Sequence, residues 1–114
     1  MKPSLVVRFY ASSSGNEPVR DWLTSLGRDA RRAIGTDIKT VEMGWPLGMP
    51  LVRKLAPGLW EVRSHLPSGI ARVLFTVKDQ NLVLLHGFEK KSQKTPAADL
   101  QTAIRRIKEI QDGD

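Results

Sequence analysis

The alternation of apolar and polar residues predicts one strand and a helix near the start of the chain. Leu5 to Tyr10 is a run of β-branched and aromatic residues typical of a strand. Pro18 suits the first turn of a helix, where its missing N–H would have no partner. Gly27 is a typical residue to end that helix. Between them the apolar positions recur at helical spacing: Val19, Trp22, Leu23 and Leu26.

A second helix is predicted from Asp29 to about Met43. Because so few residues separate the two helices, we expect them to form an antiparallel hairpin. The glycines and prolines of Gly44 to Pro50 then predict a loop. The apolar positions of the second helix share one face: Ala30, Ala33, Ile34, Ile38 and Val41. Its other face carries basic residues: Arg28, Arg31, Arg32 and Lys39.

Strand patterns dominate the second half of the chain. In Leu59 to Leu66, the polar residues Glu61, Arg63 and His65 alternate with apolar or small ones. Alternate residues of a strand point to opposite faces of the sheet, so these three share one face. A Pro-Ser-Gly turn follows, and Ile70 to Val77 is the expected hairpin partner.

The last two predicted elements are a strand and a helix. Leu82 to Phe88 is apolar on both faces, as in a strand that is covered on both sides. Thr95 followed by Pro96 is typical of an N-cap and a first helical turn. The stripe after it is Leu100, Ala103, Ile104, Ile107 and Ile110. The order β-α-α-β-β-β-α predicts an α+β fold with a three- to four-stranded, mainly antiparallel sheet and a C-terminal helix.

Length and charge narrow the possible partners. A chain of 114 residues favours a single domain. Eighteen Lys and Arg against twelve Asp and Glu give a formal charge of +6. Such an excess favours polyanionic partners, namely nucleic acid, an anionic membrane surface or an acidic protein. The alternative is that the cations are simply solvated.

Composition also excludes several classes of chemistry. The chain has no cysteine, which excludes disulfides, thiolate metal sites and cysteine nucleophiles. His65 and His86 are too few for a convincing zinc site, so we predict no metal and no other cofactor. Met1 to Tyr10 has no apolar stretch like that of a signal peptide. No run approaches the ~20 apolar residues of a membrane span. These features predict a cytoplasmic protein without a membrane partner.

Three segments, in this order and spacing, resemble the HigB-like, phage-derived branch of the RelE/ParE toxin superfamily. The first is Leu59-Trp60-Glu61-Val62-Arg63, which follows the basic Val52-Arg53-Lys54-Leu55. The second is Arg72-Val73-Leu74-Phe75. The third and most distinctive runs from Leu84 to Pro96 as LLHGFEKKSQKTP. The similarity covers nearly the whole chain and is weakest before about Pro50.

The resemblance implies a RelE/ParE-like fold and a toxin of a type II toxin–antitoxin pair. Such toxins pair with an antitoxin, typically a helix-turn-helix protein. Many RelE- and HigB-like members cleave messenger RNA on the ribosome, whereas the ParE branch poisons DNA gyrase. The resemblance therefore implies mRNA on the ribosome as the substrate, and no small-molecule cofactor.

Metal-free RNA cleavage requires deprotonation of the ribose 2′-hydroxyl, stabilisation of the phosphorane and protonation of the leaving 5′-oxygen. Alternation places Arg63 on the same face as Arg72 of the next strand, where two forked guanidiniums suit a phosphate. The resemblance assigns both arginines to transition-state stabilisation. Glu61 is interpreted as an orienting partner for Arg63. The alternative is that these arginines form ordinary surface ion pairs, worth ~0–1 kcal/mol.

The remaining candidates concern proton transfer and RNA binding. Mutual repulsion among Lys90, Lys91 and Lys94 lowers the pKa of at least one, which suits either proton transfer or plain phosphate binding. His86 is a further acid–base candidate, although a lone histidine among Leu82, Leu84 and Phe88 is more often a hydrogen-bonded core residue. The candidate RNA contacts are Arg53, Lys54, Lys94 and Trp45, the last by base stacking.

One departure from the family keeps three functions open. Many relatives carry a tyrosine where this chain has Phe75. By strand alternation Phe75 and Arg72 face opposite ways, so the tyrosine need not be catalytic. The hypotheses are a ribosome-dependent mRNA endonuclease, a non-cleaving ParE-like toxin, and a degenerate member that only binds its antitoxin. A cluster of Arg63, Arg72 and Lys91 would favour the nuclease.

Overall fold

A computed structural model shows a five-stranded sheet with helices on both faces. The structure describes residues 4–90, apart from the side chain of Lys90, and residues 94–112. None of the helices in these ranges is long and apolar enough to cross a membrane. In chain order the elements are β1 (Val6–Phe9), α1 (Pro18–Ser25), α2 (Arg28–Gly44), β2 (Val52–Ala56), β3 (Leu59–Leu66), β4 (Gly69–Lys78), β5 (Asn81–Lys90) and α3 (Ala97–Asp112).

The sheet is mixed, in the order β1-β5-β4-β3-β2. β1 pairs in parallel with β5, and every other neighbouring pair is antiparallel. The α+β class and the C-terminal helix are confirmed, and the predicted three to four strands match the five observed only loosely. The strand that sequence reasoning missed is β2, whose Arg53 and Lys54 are exposed. Charged side chains fit there because β2 lies at the edge of the sheet.

Each face of the sheet has its own core. On one face, α1 and α2 pack on residues such as Val62, Val73 and Phe75. On the other, Ala103 of α3 packs with Leu74. α1 contacts mainly β5 and α2 contacts mainly β3, so each packs on the sheet more than on the other helix. The expected helical hairpin therefore matches the structure only loosely.

A β-bulge in β5 decides which side chains face α3. Phe75 pairs with Leu84, but its neighbour Leu74 pairs with His86, so Leu85 is an extra residue in the strand. Leu84 belongs to the core beneath α1 and α2, whereas Leu85 belongs to the core beneath α3. After the bulge the alternation is shifted, and His86 lies on the face that α3 covers.

Candidate functional site

Two arginines lie side by side on the α3-facing side of the sheet. Arg63 of β3 and Arg72 of β4 are direct partners in the antiparallel register. Glu61 lies two residues before Arg63 on the same face. Its Oε1 is 3.9 Å from Nε of Arg63, and its Oε2 is 3.7 Å from Nη1 of Arg72. One carboxylate therefore lies between two guanidinium groups.

Burial separates the roles of the two arginines. The side chains of Arg72 and Glu61 are 0% exposed, and that of Arg63 is 10% exposed. Burial lowers the pKa of Arg72, and the Glu61 carboxylate opposes that effect. The guanidinium of Arg72, a predicted phosphate clamp, does not reach the surface of this structure. Arg63 is the member of the pair that does.

The two cations of β2 lie on opposite sides of the sheet. Arg53 pairs with Glu61 and shares its face, while Lys54 pairs with Trp60 and faces the other way. Trp60 packs in the core beneath α1 and α2. Arg53 is exposed and is close enough to Arg72 to help lower the pKa of that guanidinium. The structure thus adds Arg53 to the arginine pair and leaves Lys54 away from it.

Thr95 ties the segment before α3 to the buried carboxylate. Its hydroxyl donates a hydrogen bond of 2.7 Å to Oε2 of Glu61. Sequence reasoning assigned Thr95 to the N-cap of the helix and missed this contact with β3, 34 residues earlier. Residues so far apart give no local signal of their contact. We name the side chains of Arg53, Glu61, Arg63, Arg72 and Thr95 the arginine cluster.

His86 and Asp99 form a pair beside the arginine cluster. Nε2 of His86 lies 2.6 Å from Oδ1 of Asp99, and both side chains are 21% exposed. His86 pairs with Leu74, two residues from Arg72 on β4, so it is a diagonal neighbour of that arginine. Asp99 was missed from the sequence, because an aspartate in a first helical turn is ordinarily explained by the helix dipole.

The other expected site residues are only partly brought together. Lys94 is exposed just before α3. Lys91 lies outside the described residues, as does the side chain of Lys90. Trp45, the predicted base-stacking residue, is half-buried, and its ring packs edge-on against Trp60 at 4.9 Å between ring centroids. That contact places Trp45 on the face of the sheet opposite Arg72.

Further polar contacts hold α3 on the sheet. Nη1 of Arg106 donates a hydrogen bond of 2.7 Å to the carbonyl of Leu85, the extra residue of the bulge. The hydroxyl of Tyr10 donates a hydrogen bond of 2.8 Å to Oε1 of Glu109. Burial, followed by that hydrogen bond, raises the pKa of Tyr10 above its ordinary value. Burial likewise lowers the pKa of Arg106.

Other features of the surface lie away from the arginine cluster. Two cavities of about 450 and 470 Å³ are lined instead by residues around Tyr10 and Glu109 and around the β3–β4 turn. Neither contains a member of the cluster, and neither is enclosed. Within the described ranges, no group of three or more His, Asp or Glu side chains is arranged to hold a metal ion.

Comparison with known families supplies the class of this protein. The sequence matches a RelE/HigB-like toxin family. Within that class, the chain belongs to the phage-derived Gp49-like protein family (DUF891), whose model matches residues 21–108. The match begins within α1 and ends within α3, so it includes the arginine cluster and the His86–Asp99 pair. No curated protein matches the chain.

Proposed function

We propose that this protein is the HigB-like toxin of a type II toxin–antitoxin pair, and that it cleaves messenger RNA on the ribosome without a metal ion. The observation that carries the proposal is the pairing of Arg63 with Arg72 in adjacent strands, with the Glu61 carboxylate between them. Fixed cations of this kind are what a developing phosphorane dianion requires.

The partial exposure of Arg63 supports its direct contact with the scissile phosphate. Its guanidinium can donate two parallel hydrogen bonds to phosphate oxygens. Arg72 is a positioning residue: fully buried beside Arg63, it contributes positive potential and holds Glu61, which in turn orients Arg63. Arg53, exposed on the same face, extends the basic surface along the RNA strand.

Proton transfer is assigned to His86 with Asp99. The imidazole takes the proton of the 2′-hydroxyl, whose oxygen attacks the adjacent phosphorus, and Asp99 stabilises the imidazolium that forms. The bond from phosphorus to the 5′-oxygen then breaks. That oxygen takes a proton, and the products are a 2′,3′-cyclic phosphate and a 5′-hydroxyl. Lys94, with Lys90 and Lys91, supplies either the leaving-group proton or phosphate contacts.

The antitoxin partner is inferred from the family and from the basic surface. It would be a helix-turn-helix protein with acidic segments that cover the arginine cluster, or with apolar segments that dock on the helices. Ile104 on α3 is 47% exposed and offers an apolar contact for such a segment. Copurification of this chain with a coexpressed antitoxin tests the pairing.

The complete burial of Arg72 favours a second candidate function. A toxin that blocks its target without cleaving RNA, as ParE-like toxins do with DNA gyrase, needs no exposed pair of guanidiniums. The same holds for a degenerate member that only binds its antitoxin. In both, the contact between Glu61 and Arg72 would serve the fold alone.

Induced expression separates these functions. Growth and mRNA integrity are compared for the wild type, Arg63→Ala and Arg63→Lys, with Arg20→Ala on α1 as a matched control. The nuclease predicts growth arrest and mapped breaks in translated mRNA, which Arg63→Ala abolishes and Arg20→Ala preserves. Arg63→Lys keeps the charge without the fork and should retain only part of the activity. Arrest with intact mRNA would favour gyrase, and no arrest would favour the degenerate member.

A further inference from the structure

A second basic surface lies on α2, on the opposite face of the sheet from the arginine cluster. Ile34, Ile38 and Val41 of this helix are buried against the sheet. The α2 stripe consists of four exposed cations on its outer side: Arg28, Arg31, Arg32 and Lys39. Positions 28, 32, 35 and 39 are spaced by four, three and four residues, which places them on one helical face. The stripe extends for roughly 16 Å at about 1.5 Å per residue.

Gly35 lies in the middle of the α2 stripe and has no evident structural role. Glycine is the poorest helix former after proline, yet Gly35 occupies the interior of a 17-residue helix. A Cβ built on Gly35 would meet no atom within 4 Å, so no neighbouring group of the chain requires a glycine here. Its effect is to leave the helix surface bare between the cations. A bulky, rigid ligand can therefore approach the backbone closely.

The chemistry of α2 selects the kind of ligand. Interfaces between proteins depend on buried apolar and aromatic anchors, but the exposed large apolar residues of the described chain are Val6, Met49 and Ile104, all outside α2. Single-stranded RNA is ordinarily bound by aromatic stacking, and α2 has no aromatic residue. The phosphate backbone of an RNA duplex needs neither feature and is bound by rows of Arg and Lys.

The carboxylates of α2 limit where that backbone can lie. Asp29 is exposed at the first turn, Asp37 is half-buried on the flank, and Glu42 follows Lys39 by three residues. Asp29 and Asp37 lie within the segment from Arg28 to Lys39, which still carries four cations against two carboxylates.

From the exposed stripe, the bare helix surface at Gly35 and the absence of apolar or aromatic anchors on α2, we infer that the α2 stripe docks on the phosphate backbone of double-helical RNA. This inference rests on the proposed function for its choice of RNA as the target. It adds a second site: α2 would hold a structured RNA of the ribosome while the opposite face of the sheet meets the messenger strand.

The test is a salt titration of binding by the full chain. The probe is a 2′-O-methylated RNA hairpin, which cannot be cut through its 2′-oxygens, and its dissociation constant is measured by fluorescence anisotropy between about 50 and 200 mM salt. The double variant Arg28→Gln/Arg32→Gln should bind severalfold more weakly. The slope of the logarithm of the association constant against the logarithm of the salt concentration is negative, and its magnitude should decrease by about two. Arg105→Gln/Lys108→Gln removes the same charge from exposed positions on α3 and should leave that slope nearly unchanged.

Gly35 provides an independent arm of the test. Gly35→Gln fills the bare surface without changing the charge, and should weaken binding several-fold with no loss of thermal stability. An unchanged slope in Arg28→Gln/Arg32→Gln would overturn the inference. The inference would also be overturned if a single-stranded RNA of equal length bound as tightly as the hairpin. The same holds if polyglutamate displaced the hairpin at a lower concentration than unlabelled hairpin does. If the wild type cleaves no mRNA while hairpin binding still depends on the stripe, the proposed nuclease fails and the docking surface stands.

Discussion

Oε2 of Glu61 lies 3.7 Å from Nη1 of Arg72, and both side chains are completely buried. Taking an ion pair out of water costs solvation energy that the attraction offsets only when the geometry is good. The same carboxylate accepts a hydrogen bond from Thr95 and lies near Arg63. Glu61 thus connects Arg72 on β4 and Thr95 before α3 to Arg63, the one arginine of the pair that reaches the surface.

Removing one member of this buried pair should destabilise the protein far more than removing both. Arg72→Met leaves Glu61 buried without its closest buried cation, and should lower the free energy of unfolding by about 3–5 kcal/mol. Glu61→Gln/Arg72→Met removes both charges and should recover most of that loss. Urea denaturation of the wild type, the two single variants and the double variant measures the coupling. Strictly additive losses would contradict the ion pair as the source of the effect.

Sequence reasoning predicted most of the elements but not the bulge that shapes the site. Glu61 and Arg63 alternate along one strand, and Arg72 lies on the strand that follows it. Their common face could therefore be predicted from the sequence. The extra residue Leu85 follows from pairing between two strands and leaves no mark in the apolar run from Leu82 to Phe88. That run predicted His86 among the core leucines, whereas the bulge places it beside Asp99.

Burial was equally hidden in the sequence. An arginine on a strand is exposed by default, and the complete burial of Arg72 depends on elements that are distant along the chain. The polar contact between Thr95 and Glu61 is an example, since it joins residues 34 positions apart. Strand β2 was missed for a related reason: its adjacent cations resemble a loop until the pairing with β3 is known.

His86 and Asp99 should contribute to RNA cleavage through proton transfer. His86→Ala removes the general base and should lower the cleavage rate by ~10²–10⁴-fold. Asp99→Asn keeps a hydrogen-bond acceptor but removes the charge that stabilises the imidazolium, so its loss should be smaller. Cleavage of a translated mRNA in a reconstituted system, mapped by primer extension, measures both.

A purely structural role for the His86–Asp99 pair would give a different result. Both variants would then lower the melting temperature and leave the cleavage rate per folded molecule unchanged. Added imidazole distinguishes the cases further, because it should restore part of the activity of His86→Ala only if the missing group transfers a proton.

The packing of α1 on the sheet depends on the absence of a side chain at Gly87. A Cβ at this position would overlap Cε3 of Trp22, so the two could not coexist without a shift of one of them. Gly87→Ala should therefore cost ~1–3 kcal/mol of stability through overpacking. Gly35→Ala is the matched control: it meets no atom within 4 Å and should stabilise α2 by about 1 kcal/mol. Thermal denaturation compares them, and equal effects of the two substitutions would contradict this account.

Tyr10 should make the stability of the α3 attachment sensitive to alkaline pH. Burial and the hydrogen bond to Glu109 raise the pKa of Tyr10 above 10.0 in the folded protein. A raised pKa means that the fold favours the neutral phenol. Its stabilisation is therefore complete below pH 10.0, the ordinary value, and is lost as the pH rises through the folded pKa.

Tyr10→Phe removes this dependence together with the hydrogen bond. At neutral pH the variant should be less stable than the wild type by about 1 kcal/mol, the usual net contribution of such a bond. The difference should shrink above pH 10.0, where the wild-type phenol begins to ionise and can no longer donate to Glu109. Urea denaturation of both proteins at neutral and alkaline pH measures the difference directly. The contributions of lysines and other titrating groups to the free energy of unfolding are common to both proteins and cancel. A difference that stays constant with pH would show that ionisation of Tyr10 does not affect the attachment of α3.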